Sequence, residues 1–475
     1  MTRPRRVAAF PHQIEGTEFI SSRAAAALFD EQGLGKTKQL IDAVGREIEE
    51  GRLAGALVVC PNALKLTWAR EIERHSQLPY AVFGAGRSAR RVAFGSLRAA
   101  FYVINYEAVV REVTSLRALL RFKRMALVLD ESHRIKTPGA KVTRTLHTLK
   151  GEAAKRVIMT GTPVANKPED LWSQLFFLDD GAALGASFEE FRRTYCTASG
   201  GYVRVDDLRD QLGALALRRL KDTALTLPPK TVVPVTVQLA GRQAELYHRM
   251  REDLYLRVRS LTGAQVLADG ENILVRLLRL AQLASNPALI DASYKETPAK
   301  IAALDELLED VFARGPEQKV IVWTSFIENI TTLAVRYVQY RPVTFYGEMA
   351  GDERERAIRA FTTDPTVRLL IGNPAAGREG LTLTSANIAV YLDRTFNLVD
   401  YVQSQDRIHR ISQTQACEIY LLVAERTVDE FIEFALAQKL RLARYVQRDA
   451  ALLDPRDAAM KKPDILRALL APARP

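Results

Sequence analysis

The stretch FDEQGLGKTKQL, residues 29–40, holds the key to the fold and raises a difficulty at once. Its Gly35-Lys36-Thr37 ends the phosphate-binding pattern Gly, four residues, Gly-Lys-Ser/Thr. That pattern asks for a glycine at position 30, where Asp30 stands; the nearest earlier glycine is Gly33. A decayed phosphate loop, a chance match and a different kind of nucleotide site are the three readings. Gly33 and Gly35 allow the backbone to curl so that its N–H groups face phosphate. Lys36 would reach the β- and γ-phosphates, and the Thr37 hydroxyl would bind Mg²⁺. A helix opening at about Lys36, after a strand ending near Phe29, would add its dipole. The plain alternative is a glycine-rich turn with an exposed lysine.

The bulk properties narrow the classes. With 475 residues, 47% hydrophobic and 26% charged, the chain has room for two or three globular domains. No apolar run is long enough for a membrane span, and the basic N-terminus MTRPRRVAAFPHQ lacks the apolar core of a signal peptide. Cys60, Cys196 and Cys417 are far apart and form no CxxC pair, which supports neither a zinc module nor a disulfide framework and fits a reduced, cytoplasmic setting. The formal net charge is +11, with arginine dominating the basic residues. Arginine grips phosphate bidentately, so the surplus points to a polyanion such as nucleic acid; an evenly spread Arg-rich bias is the alternative.

Short apolar runs recur with helical stretches between them. GALVVC (55–60), FYVIN (101–105), MALVLD (125–130) and KRVIMT (155–160) suit buried parallel strands. KVIVWT (319–324), PVTFY (342–346), VRLLIG (367–372), NIAVYLD (387–393) and CEIYLLV (417–423) repeat the pattern. Strand–helix alternation of this kind predicts an α/β fold with two doubly wound parallel sheets. Residues 181–300 read as long-helical and Arg-rich, as in 242–261 and 271–284, hence a helical insertion and connector.

A second site bears on the loop. MALVLDESH ends an apolar strand in two carboxylates, Asp130 and Glu131. A phosphate-loop enzyme needs an acid to hold Mg²⁺, the expected role of Asp130, and a group to orient the attacking water, the expected role of Glu131. MTGTP (159–163) then puts small hydroxylated residues at the next strand end, where they could sense a γ-phosphate.

Taken in order, DEQGLGKT, DESH and TGTP resemble motifs I, II and III of superfamily-two helicases, and the chain is similar to their SWI/SNF-type branch of helicase-like ATPases over nearly its whole length. LVVCPNALKLTWAREIERH resembles motif Ia and FYVINYEAV motif Ib; LALRRLKDTALTLPPK (215–230) resembles a segment associated with that branch; GREGLTLTSANIAVYLDRTFNLVDYVQSQDRIHRISQ resembles motifs V and VI. In that branch the loop ordinarily lacks its first glycine, so Asp30 is normal there.

The resemblance implies two tandem RecA-like lobes. They would be 1–240, whose end from about 181 is helical insertion, then connector 241–300, then 301–475. ATP and Mg²⁺ would bind between the lobes. Gln13 would read adenine, with Gly33, Gly35, Lys36 and Thr37 on the phosphates and Thr37 and Asp130 on Mg²⁺. Arg407 and Arg410, three apart and so expected on one helix face, would act as arginine fingers, with Gln403 as the leading glutamine of that motif. Gly377 and Gly380 would give motif V its tight backbone. Lys65, Asn105 and Thr384 fall in motifs that face the nucleic-acid backbone in such motors; solvated or capping roles are the alternative. His133 reads as a coupling or packing residue.

Departures from the branch pattern are Gln32, Ser132, Ser412 and NPAAGREG, and none removes a group that the chemistry requires. The resemblance implies an ATP-driven translocase on double-stranded DNA. No bromodomain-like, chromodomain-like or zinc segment is recognised, so in size and texture the chain resembles the compact bacterial and phage members more than the large remodellers, which implies a nucleoid-associated or phage-infected cell setting. A strand-separating DNA or RNA helicase and a non-catalytic nucleic-acid clamp are the alternatives.

Overall fold

A computed structural model of the 475-residue chain describes residues 8–84, 98–197, 201–259, 270–378 and 381–451. Within them the chain forms two compact units; the first ends at Thr226, and the chain returns to it at Arg441.

The first unit is built on a parallel sheet. Its strands are β1 (Ala25–Leu28), β2 (Gly55–Cys60), β3 (Tyr80–Val82), β4 (Phe101–Asn105), β5 (Met125–Asp130), β6 (Lys155–Met159) and β7 (Ala216–Leu217). They lie in the order β3-β4-β2-β5-β6-β1-β7, with every pairing parallel. β2 and β5 are buried along their whole length, which is why they read as unbroken apolar runs. Helix α1 spans Pro11–Ser21, α2 Lys36–Glu49 and α3 Lys65–His75. Leu40, Ile41 and Val44 of α2 and Trp68 and Ile72 of α3 pack with Leu28, Val58, Val128 and Val157 in one core layer. Because β5, β6 and β1 are neighbours and parallel, the loops that follow them leave the same sheet edge side by side. That edge, at the carboxyl ends of the strands, is where open α/β sheets bind ligands.

The second unit carries β8 (Lys230–Val237), β9 (Val320–Trp323), β10 (Val343–Phe345), β11 (Leu369–Gly372), β12 (Ile388–Tyr391) and β13 (Cys417–Ala424), in the order β10-β11-β9-β12-β13-β8 and again all parallel. Alternate residues feed two core layers: Val320, Val322, Ile388 and Val390 face one, Ile321, Trp323, Ala389 and Tyr391 the other.

The stretch 181–300, expected to be helical, differs in part. It holds the helices Phe188–Tyr195, Val205–Leu215, Gly241–Arg259 and Gly270–Ser285, but also β7 and β8. β8, expected inside a first domain reaching residue 240, pairs with β13 of the second sheet. Pro234 lies within it, which an edge strand tolerates because only one side of it is laddered. No helix among the described residues is long and apolar enough to cross a membrane.

Candidate active site

The site begins with the loop between β1 and α2. Gly33 and Gly35 take φ of +91° and +75°, the left-handed region that a glycine enters without steric cost. Gly35 caps α2, and its position is crowded as well: a Cβ there would lie 2.3 Å from Gln13 Nε2. Gly35→Ala should therefore strain the backbone by roughly 1–2 kcal/mol and push Gln13 away. The expected result is a lower melting temperature together with lost nucleoside-triphosphate affinity, read by thermal unfolding and a binding titration. An alanine variant that binds as the parent does would contradict the assignment of this loop.

Lys36 opens α2, as its sequence position predicts. Its Nζ donates to the carbonyls of Asp30 at 2.7 Å and Glu31 at 3.2 Å, closing the loop on itself. Burial lowers its pKa, opposed by the charges of Glu131, Asp30 and Asp130. Thr37 follows on the first turn, half-buried. Gln13 on α1 is buried; its Oε1 accepts from Phe10 N at 3.1 Å and its Nε2 donates to Leu34 O at 3.4 Å. Gln13 is thus anchored to the phosphate loop itself.

Asp130 ends β5. Its Oδ2 accepts from Trp68 Nε1 of α3 at 2.8 Å and its Oδ1 from Glu131 N at 3.0 Å, while Tyr106 donates its hydroxyl to Asp130 O at 2.7 Å. Burial, and next the Glu131 charge, push its carboxyl up to about 7, with the Trp68 bond pulling the other way. A buried carboxyl whose pKa is raised beside a second carboxylate is a setting that favours an added cation.

Glu131 sits at φ +52°, a left-handed conformation rare for a residue with a side chain and concentrated at functional sites. Its Oε2 accepts from Thr160 Oγ1 at 3.1 Å and lies 3.3 Å from His133 Nδ1; that nitrogen is itself 3.1 Å from Thr160 Oγ1. His133 thus bridges the loops after β5 and β6. Thr162 Oγ1 is buried with no hydrogen-bond partner among the described residues, an orphaned hydroxyl beside this cluster. Gly161 is hemmed in, since a Cβ would lie 2.7 Å from Gln32 Cγ and 3.6 Å from Lys36 Nζ. The structure thus brings together Gln13, Gly33, Gly35, Lys36, Thr37, Asp130 and Glu131 on one edge of the first sheet. The curled glycine loop, the carboxylate pair and the orphaned hydroxyl suit a nucleotide triphosphate with a divalent cation.

In the second unit, Gln403 lies on the helix Leu398–Gln405, buried, with its Nε2 lacking a partner among the described residues. That helix ends before the two arginines, so Arg407 and Arg410 do not share a helix face as expected. Arg407 is buried and its Nη1 donates to Leu381 O at 3.3 Å. Arg410 is half-buried, with Nε on Asp406 O at 2.9 Å and Nη1 on Thr382 Oγ1 at 3.1 Å. Gly377 faces Trp323, whose Cη2 would be 3.1 Å from an added Cβ, so glycine here permits close packing. Gly380 lies outside the described residues.

The three expected backbone-contact residues have internal partners. Lys65 Nζ donates to Phe83 O at 2.8 Å, and burial lowers its pKa. Asn105 Nδ2 donates to Glu107 Oε2 at 2.7 Å from the N-cap of the helix Tyr106–Phe122. Thr384 Oγ1 is 2.9 Å from Ser412 Oγ. Trp68, Tyr106 and Gln39 are site-supporting residues that sequence reasoning missed. Trp68 alone carried a signal, as a large aromatic on the inner face of a helix beside the carboxylate strand.

Comparison with known proteins matches residues 12–289 to the SNF2-related domain and 299–412 to the helicase conserved C-terminal domain. Among curated proteins, the chain is 28% identical to the chromatin structure-remodeling complex subunit snf21 of Schizosaccharomyces pombe, over 97% of this chain and 41% of that protein. It is also 28% identical to the chromodomain-helicase-DNA-binding protein 1-like of Danio rerio, over 94% of this chain and 45% of that protein. The chain spans less than half the length of these relatives. Among solved structures, the Sulfolobus solfataricus SWI2/SNF2 ATPase core in complex with dsDNA matches at 26% identity and a TM-score of 0.44, covering 96% of this chain and 98% of that one.

Proposed function

This chain belongs to the SNF2-related domain family, and we propose on that premise that it is an ATP-hydrolysing motor that steps along double-stranded DNA. The observation that carries the proposal is the cluster of Lys36, Asp130 and Glu131 around a glycine-curled loop at the carboxyl edge of a parallel sheet. Lys36 and the N-terminus of α2 bind the phosphates, Gln13 reads the base, and Thr37 and Asp130 hold Mg²⁺, which when bound offsets charge on the β- and γ-phosphates. Glu131, steadied by Thr160, orients the attacking water. Arg407 and Arg410 of the second unit, with Gln403, act on the transferred phosphoryl group, and Gly377 and Gly380 shape the neighbouring loop.

The choice of track rests on charge and kinship. The +11 net charge favours a polyanion, and a curated relative is named as a DNA-binding protein. Lys65, Asn105 and Thr384 are the backbone-facing contacts in this proposal. Phosphate contacts carry no sequence information, which suits a motor that must pass any sequence.

Turnover should rise more with duplex DNA than with single strands or RNA, and affinity should fall steeply with salt. A motor that follows one backbone of an intact duplex removes a third strand from a triplex but leaves a partial duplex paired. ATP-dependent triplex displacement without strand release is the expected result, with Lys36→Ala as control. Efficient strand release without triplex displacement would reject translocation in favour of a conventional helicase.

A further inference from the structure

Asp30, the acid that stands where the usual phosphate loop has glycine, is fully buried, and a buried carboxylate is costly unless paired and hydrogen-bonded. Arg219 pairs with it in fork geometry, Nε to Oδ1 at 3.0 Å and Nη2 to Oδ2 at 2.5 Å. Gln39 of α2 bridges the two: its Nε2 donates to Asp30 Oδ2 at 3.0 Å and to Leu34 O at 3.1 Å, and its Oε1 accepts from Arg219 Nη2 at 2.9 Å. The same guanidinium reaches α1 through His12 O and, at 3.0 Å, Glu15 Oε2. One side chain therefore ties together the start of the loop, the helix that the loop opens and the helix that carries Gln13.

The backbone around Arg219 extends the grip. Beyond the short β1–β7 ladder, Phe29 N donates to Leu217 O at 2.8 Å and Glu31 N to Arg219 O at 2.9 Å, and Lys221 N donates to Glu31 Oε2 at 2.8 Å. Residues 217–221 thus form a rail along the first three residues of the loop. Arg218 points the other way. Its Nη1 donates to Phe29 O at 2.6 Å and Gly161 O at 3.1 Å, joining the loops after β1 and β6, and Asp449 braces its guanidinium, with Oδ2 2.6 Å from Nη2.

We infer that Arg219 is a positioning residue for the phosphate loop, acting through Asp30 and Gln39, and that Arg218 with Asp449 fixes the same loop against the one after β6. A glycine at position 30 would leave the loop's first turn soft. Here an ion pair holds it in the phosphate-ready curl.

This rests on the ATP-binding reading, so the test separates the two. The full chain is titrated with a fluorescent ATP analogue, with duplex-DNA affinity measured alongside. If the parent binds no analogue, the ATP-binding reading falls and this role falls with it; binding that Lys36→Ala abolishes secures the reading. Asp30→Asn and Arg219→Gln should then each raise the analogue's Kd at least about tenfold, while the double variant adds no more than about threefold to the worse single, because both remove one interaction. Losing one partner of a buried pair can also unfold the unit. Arg219→Lys guards against this: it keeps the charge but cannot fork, and should still cost about fivefold in nucleotide affinity with DNA affinity within about twofold of the parent. An Arg219→Lys chain that binds the analogue as the parent does, or losses that multiply in the double variant, would overturn the role. So would nucleotide and DNA affinity falling together.

Discussion

Lys36→Ala abolishes ATP turnover, and Glu131→Gln abolishes it while leaving nucleotide bound: this pair of outcomes is expected to separate binding from chemistry at the first unit's site. Lys36 is the cation that the loop itself presents, and its ammonium now rests on the carbonyls of Asp30 and Glu31, ready to turn toward phosphate. Alanine removes the charge, and affinity and turnover go together. Glu131 differs because Asp130, held by its Trp68 and backbone bonds, keeps the carboxylate proposed to hold the metal when residue 131 is neutral. Glutamine keeps the shape and an acceptor for the Thr160 hydroxyl, so the loop after β5 should stay in place. A positioned acid or base contributes about 10²–10⁴-fold, which sets the expected fall in kcat. Phosphate release and an ATP-analogue titration check both halves. A Glu131→Gln chain with near-normal turnover would remove Glu131 from its water-orienting role.

The legible parts of the structure share a physical cause. Strands buried on both faces must be apolar throughout, so β2, β4, β5, β9, β11 and β12 announce themselves as short unbroken runs. β7 is two residues long, too short for any periodicity to register. β8 is an edge strand with Pro234 inside it and an exposed start, and its polar–apolar alternation was hidden in a stretch rich in helix signals. The residues proposed to carry the chemistry of the first unit could be named from sequence because phosphate, metal and water would each demand a particular group at a strand or helix end. Their supports were harder to read: Tyr106 and Gln39 are ordinary core choices in sequence, Trp68 stands out only as a large aromatic on a helix, and only tertiary contact shows what the three hold.

The end of the helix Leu398–Gln405 was equally hidden, since neither glycine nor proline follows it in DRIHRISQ. The chain tightens there into turns, with Arg407 N bonding to Ser404 O at 3.2 Å, while Arg407 O accepts from Leu383 N at 2.9 Å. Tertiary bonding thus ends a helix that local propensity would have continued.

That local geometry shapes the second large effect. If the arginines of the second unit act on the phosphoryl group, Arg410→Ala should slow hydrolysis by about 10³–10⁵-fold, the range of arginine fingers, with nucleotide affinity much less changed. Arg410 is the cleaner probe. It is half-buried, bonding Asp406 O and Thr382 Oγ1, so alanine should lower the melting temperature far less than at the fully buried Arg407. Arg407 is buried and donates to Leu381 O, so Arg407→Ala should cost stability as well as turnover. The contrast is the test: a large kcat loss with the smaller loss of stability for Arg410, against a joint loss for Arg407. Arg410→Lys should not restore the rate, because a point charge cannot make the forked contact with phosphate oxygens. An Arg410→Ala chain that hydrolyses ATP at the parent rate would remove Arg410 from its proposed role on the phosphoryl group.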